Sequence, residues 1–115
     1  MIAEAIALVS AERDVRIDLH GGFARPPKPM TPEAEALFNL VGQAGADLGQ
    51  TIGWQASGGV CDGNNIAACG VPVVDTMGVR GGKIHSMEEF LIVDSLKERA
   101  ALSALTIMRL AGASA

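Results

Sequence analysis

The chain has 115 residues and a mass of 11.8 kDa, enough for one small domain with one core but short for a complete α/β enzyme. Its 9 basic and 13 acidic residues leave a net charge of −4. No Lys/Arg cluster tracks a phosphate backbone or an anionic bilayer, so neither nucleic acid nor membrane is an expected partner. No apolar stretch approaches a membrane span, and the opening Met1-Ile2-Ala3-Glu4 lacks the basic start of a signal peptide, so the expected location is cytoplasmic.

Ile2, Ala5, Ile6 and Val9 recur at helical spacing through about Ala11. Val15, Ile17 and Leu19 then alternate with Arg16, Asp18 and His20, the period-two pattern of a strand with one wet face, stopped by Gly21-Gly22. This helix-strand pair has nothing to pair against in its own sequence. "FARPPKPMTPEAEA" is a connector whose prolines remove backbone donors and favour extended geometry. A domain boundary is expected there, with residues 1–24 on one side and 25–115 on the other. Thr31-Pro32 predicts an N-cap and a first-turn proline, opening a helix with Ala34, Leu37, Phe38, Val41 and Leu48 on its apolar stripe and a stop near Gly49.

Beyond it, "TIGWQA" reads as a short strand and "SGGVCDG" as a loop. "NNIAAC" reads as one or two helical turns capped by Asp62 and stopped at Gly70. "VPVVDT" (71–76) is a continuous β-branched run, the kind buried on both faces of a mostly parallel sheet. After the glycine loop and an extended piece at 89–93, Ser95-Leu96-Lys97-Glu98 fits a capping box. It opens a last helix with Leu96, Leu102, Leu105, Ile107 and Met108 as its apolar residues, ended by Gly112.

Open α/β sheets put ligands at the carboxyl ends of their strands, so "SGGVCDGNN" and "GVRGGKIHS" are expected to face one crevice. Asp62 has two readings there, a helix cap or a functional carboxylate. Gly58 and Gly59 serve either turn geometry or close approach of a ligand to the backbone. Cys61 and Cys69 match neither a redox pair nor a zinc-knuckle spacing, and no disulfide framework is indicated. His85 is the sharper case. Imidazole is the commonest transition-metal ligand, and Glu88 or Glu89 is placed to orient it. Zinc needs at least three protein ligands, which this chain does not supply around His85; His20, on the wet face of its strand, reads as a solvated residue. "GVRGGK" is one residue too short for a phosphate-binding loop and has Ile84 in the magnesium-binding position. Neither Ser57 nor Ser86 has a histidine at nucleophile-elbow spacing.

Taken in order, "GGFARPPKP", "SGGVCDGNNIAACGVPVVDTMG", "GGKIHSMEEF" and "IVDSLKERAALSALTIMRLA" resemble the C-terminal third of the zinc-dependent aminoacylase and carboxypeptidase family. That family includes glutamate carboxypeptidase, acetylornithine deacetylase and succinyl-diaminopimelate desuccinylase. The likeness runs collinearly over nearly the whole chain and is most specific in the glycine loop ending in His-Ser.

The resemblance implies an α/β fold, the C-terminal part of a three-layer α/β/α zinc-hydrolase domain. Residues 1–24 would be the last helix and strand of an inserted lid domain, and 25–115 the returning part of the catalytic domain. It further implies that His85 is one ligand of a two-zinc site whose other ligands and general base lie in sequence this chain does not contain. In the complete enzyme a metal-activated water would hydrolyse an amide bond of a peptide or N-acyl amino acid. Arg25 matches an arginine near the substrate carboxylate, and Gly58, Gly59 and Asp62 match a loop beside the substrate. Cys61 stands where relatives often have serine or threonine, and Lys83-Ile84 replaces small residues before the histidine. The implied partners are a small-molecule or peptide substrate with a free carboxylate, the missing N-terminal portion, and a second copy in a homo-oligomer. The chain alone is expected to be inactive. The rival expectation is a non-catalytic module or subunit that binds a partner chain through open strand edges. A third, a small nucleotide-binding domain, rests on the glycine loops alone.

Overall fold

The computed structural model describes residues 2–22 and 24–112. In chain order it contains α1 (Ile2–Arg13), α2 (Pro32–Asp47), α3 (Asp62–Ala68), β1 (Gly81–Gly82), β2 (Phe90–Leu91) and α4 (Ser95–Leu110). Phe23, in the expected connector, lies outside the described residues. No helix among the described residues is long and apolar enough to cross a membrane.

The body is α2 against α4. Thr31 caps α2 as its spacing predicts, its Oγ1 accepting from the Ala34 N–H at 3.2 Å, with Pro32 in the first turn. Glu33 and Glu35 sit in the same turn, where the helix dipole favours negative charge. At the far end Gly49 takes a φ of 69°, a left-handed conformation that glycine adopts without steric cost. Val41 and Ala44 of α2 close on Leu102 of α4 to make the core, with Ile52, Val74, Met77 and Leu105 packed around it. Gly45 is buried, and the close approach of the 50–52 segment leaves no room for a side chain there: an added Cβ would lie 3.2 Å from Ile52 Cβ and 3.3 Å from the Gln50 carbonyl. Phe38 and Trp54 add a tilted ring pair at 5.9 Å.

Two expected caps are corrected. The N-cap of α3 is Cys61, not Asp62; Asp62 is the first helical residue, and the Asn64 side-chain oxygen accepts from the Cys61 N–H at 3.1 Å. The Ser95–Glu98 capping box is absent. Asp94 precedes the helix in a helical conformation, while Ser95 is fully buried and its Oγ accepts from the Arg80 N–H at 2.9 Å. Glu98 instead takes Arg80 through two parallel bonds, Nε to Oε2 at 3.0 Å and Nη2 to Oε1 at 3.1 Å. Both groups are drawn off the helix end by a tertiary partner. Of the apolar residues read along α4, Leu102 is buried and Leu105 half-buried, whereas Leu96, Ile107 and Met108 are exposed.

The expected strands differ more. Residues 15–20, 51–56 and 71–76 carry no ladder; the sheet among the described residues is the antiparallel pair β1–β2, with Gly81 opposite Leu91 and Gly82 opposite Phe90. A strand needs a neighbour to take its backbone bonds, and the described residues offer none to these three. No residue of α1 is buried. The radius of gyration is accordingly 20.3 Å, against about 13 Å for a compact chain of this length. The accessible surface is 8962 Å², roughly 3000 Å² above that of a compact monomer of this mass.

Candidate functional site

The connector, the 57–61 loop, the start of α3 and the end of the 71–76 run meet in one polar cluster. Pro26 and Pro27 have no N–H to give, so that stretch docks through its carbonyls and side chains. Asn64, buried at the first turn of α3, donates from Nδ2 to the Pro26 carbonyl at 2.9 Å. Arg25 pairs through Nη2 with Asp62 Oδ1 at 2.8 Å, across 37 positions of sequence. Behind this pair Asp75 gathers three donors. The Cys61 thiol donates to Oδ2 at 2.9 Å, the Lys28 ammonium reaches the same oxygen, and the Thr76 hydroxyl donates to Oδ1 at 3.0 Å.

The electrostatics follow from that geometry. The bond from the Cys61 thiol, then that from Lys28, stabilises the ionised carboxylate and holds the pKa of Asp75 down at about 2, against 3.8 ordinarily; partial burial opposes the shift. Gly63 permits the arrangement, since a Cβ at that position would lie 2.9 Å from Asp75 Oδ2, 3.0 Å from Val73 Cγ1 and 3.2 Å from Cys61 Sγ. In front of the cluster Arg25 lines a shallow open depression with Gly22, Ala24 and Val60. A Cβ added at Gly58 would meet nothing within 4 Å, and the Gly59 N–H donates to Ser57 Oγ at 3.1 Å. Both are turn glycines of an exposed loop.

His85 sits in the loop between β1 and β2 and is exposed. Lys83 and His85 both adopt left-handed backbone, with φ of 56° and 65°, a conformation uncommon for residues with a Cβ. The loop's own bonds hold it: Ser86 Oγ donates to the Lys83 carbonyl at 2.7 Å, and Lys83 pairs with Glu88 at 2.5 Å. Glu89 accepts from the backbone N–H of His85 at 3.2 Å. The expected carboxylate behind the imidazole is therefore corrected, because Glu88 serves Lys83 and Glu89 serves the His85 main chain. No three His, Cys, Asp or Glu side chains gather in metal-binding geometry among the described residues.

Thus Arg25 and Asp62 are brought together, Gly58 and Gly59 stay in the exposed loop that precedes Asp62 without a contact to Arg25, and His85 belongs to the internally bonded loop between β1 and β2. Sequence reasoning misses Lys28, Asn64 and Asp75. A carboxylate closing a β-branched run, as Asp75 does after Val73-Val74, is the signal that points to the last of them. Comparison with family models, curated proteins and solved structures finds no match.

Proposed function

We propose that this chain is the C-terminal part of a zinc-dependent amidohydrolase or carboxypeptidase that cleaves an amide bond of a peptide or N-acyl amino acid. In this reading Arg25 binds the substrate carboxylate and His85 supplies one metal ligand. The observation that carries it is the docking of "ARPP" onto "SGGVCDGNN", through Arg25–Asp62 and Asn64–Pro26. The two segments whose resemblance points to substrate recognition form one unit. A guanidinium has five N–H donors arranged as a fork suited to carboxylates; Asp62 engages Nη2 and orients the group beside the open depression. The remaining metal ligands and the general base belong, in this proposal, to sequence outside the chain.

A second reading, a non-catalytic subunit that binds a partner chain, draws support from an open apolar groove lined by Leu37, Val41, Ile66, Val74 and Ile107. Thr106, on the same groove, is buried with its hydroxyl unpaired among the described residues.

The deciding experiment is an immunoblot of source-cell extract with an antibody raised against this chain, followed by assay of the captured protein. A band several times heavier than 11.8 kDa, with amide hydrolysis lost on chelation, restored by zinc and abolished by His85→Ala, is the expected result. A band at 11.8 kDa alone, or hydrolysis indifferent to His85→Ala, overturns the first reading.

A further inference from the structure

One carboxylate oxygen holds a thiol and an amine side by side. The Cys61 thiol donates to Asp75 Oδ2 at 2.9 Å, and the Lys28 ammonium donates to the same atom. Sulfur and nitrogen are therefore no farther apart than two hydrogen bonds laid end to end. Gly63 keeps this corner tight, since a Cβ there would lie 3.2 Å from Cys61 Sγ and 2.9 Å from Asp75 Oδ2. Cys61 is half-buried and the Lys28 side chain 21 % exposed, so a molecule little larger than water reaches both. We propose that Cys61 and Lys28 are an oxidative modification site, joined by hydrogen peroxide into a reversible sulfenamide, a covalent bond between Sγ and Nζ.

The chemistry balances in two steps. The sulfur of Cys61 attacks one oxygen of the peroxide; the S–O bond forms, the O–O bond breaks, and the departing hydroxide leaves with the thiol proton as water. Sulfur gives up two electrons and the peroxide takes them, leaving a sulfenic acid. Lys28 nitrogen then displaces the hydroxyl from sulfur. The N–S bond forms, the S–O bond breaks, and of the two protons the ammonium loses, one leaves with the hydroxyl as water and the other passes to solvent. Sulfenic acids condense with a nitrogen nucleophile in this way. An amine held beside the sulfur acts at a high effective concentration, so the link forms ahead of the second peroxide attack that would give a sulfinic acid. A thiol reductant reverses it by attacking sulfur and releasing the amine, after which a second thiol frees Cys61. The link ties the connector to the start of α3, the two segments that Arg25–Asp62 and Asn64–Pro26 already dock. It thereby fixes the backbone that carries Arg25. The proposal rests on the Lys28–Asp75–Cys61 contacts and is independent of the catalytic reading.

The test uses the full 115-residue chain with Cys69→Ser, because a Cys61–Cys69 disulfide would cause the same loss of mass. Equimolar hydrogen peroxide is added, and intact mass and peptide maps are recorded with and without a thiol reductant. The expected product is a monomer lighter by two hydrogens, with the peptide containing Lys28 joined to the one containing Cys61, and restored by the reductant. Lys83, paired with Glu88 in the β1–β2 loop, and Lys97, exposed on α4, serve as internal controls. In Lys28→Arg, which keeps a cation beside Asp75, the link is expected to fall at least about tenfold while Cys61 gains two oxygens as sulfinic acid, since the neighbouring amine no longer intercepts the sulfenic acid. A Cys61 that does not react, one that joins Lys83 or Lys97 as readily as Lys28, or one that reaches sulfinic acid equally fast with and without Lys28→Arg overturns the proposal. The first two outcomes are read on the chain that retains Lys28 and do not depend on how the variant folds.

Discussion

The Asp75 carboxylate is the point where electrostatics and fold meet most directly, and its titration can be followed by itself. Its pKa stands at about 2 rather than 3.8 because Cys61 and Lys28 both donate to Oδ2. A carboxyl whose folded pKa is depressed binds its proton less tightly than in the unfolded chain. Its contribution to stability is therefore complete above pH 3.8 and is lost as pH falls through about 2. The full difference corresponds to about 2 kcal/mol. The Asp75 side chain is 34 % exposed, so solvent screening reduces this to about 1 kcal/mol. The assay is a carbon-13 titration of the Asp75 side-chain carboxyl from pH 6 downward. Cys61→Ala is expected to raise the midpoint most, Lys28→Met next and Thr76→Val least, in the order of their contributions. Cys61→Ser keeps a donor and should move it less than Cys61→Ala. A wild-type midpoint at 3.8, unmoved by Cys61→Ala, would refute the account.

Three further outcomes follow from packing. Gly63→Ala should destabilise by about 1–3 kcal/mol in urea unfolding, because the new methyl group meets Asp75, Val73 and Cys61; Gly58→Ala, facing open space, serves as the control, and equal effects of the two would contradict the cradle. Leu102→Ala removes the largest fully buried side chain among the described residues and should cost about 2–5 kcal/mol with loss of far-ultraviolet helical signal. Ser95→Ala leaves the Arg80 N–H unpaired and should cost about 1–3 kcal/mol, whereas Asp94→Ala, which caps nothing through its side chain, should stay within about 0.5 kcal/mol; the reverse order would reinstate a capping role.

The helices were legible because their signals are local. Thr31-Pro32, the apolar spacing through Val41 and Ala44, and the left-handed glycines at 49, 70 and 112 all act within a turn or two of the chain. What lay beyond the sequence was which of several chemically equivalent uses each polar group would take. Ser95 and Glu98 satisfy a capping pattern, yet the main chain and guanidinium of Arg80, arriving from 15 and 18 positions away, took both. Asp62 has the chemistry of a cap and became the partner of Arg25. The same holds for strands: alternation at 15–20 and the β-branched run at 71–76 specify extended backbone, but a ladder requires a second strand in reach. The sequence by itself determined the helices, the turns and the connector, all set by interactions between near neighbours. Only the tertiary structure decided that Arg25, Lys28, Cys61, Asn64 and Asp75 share one cluster, because closing loops of 14 to 47 residues depends on how distant helices pack.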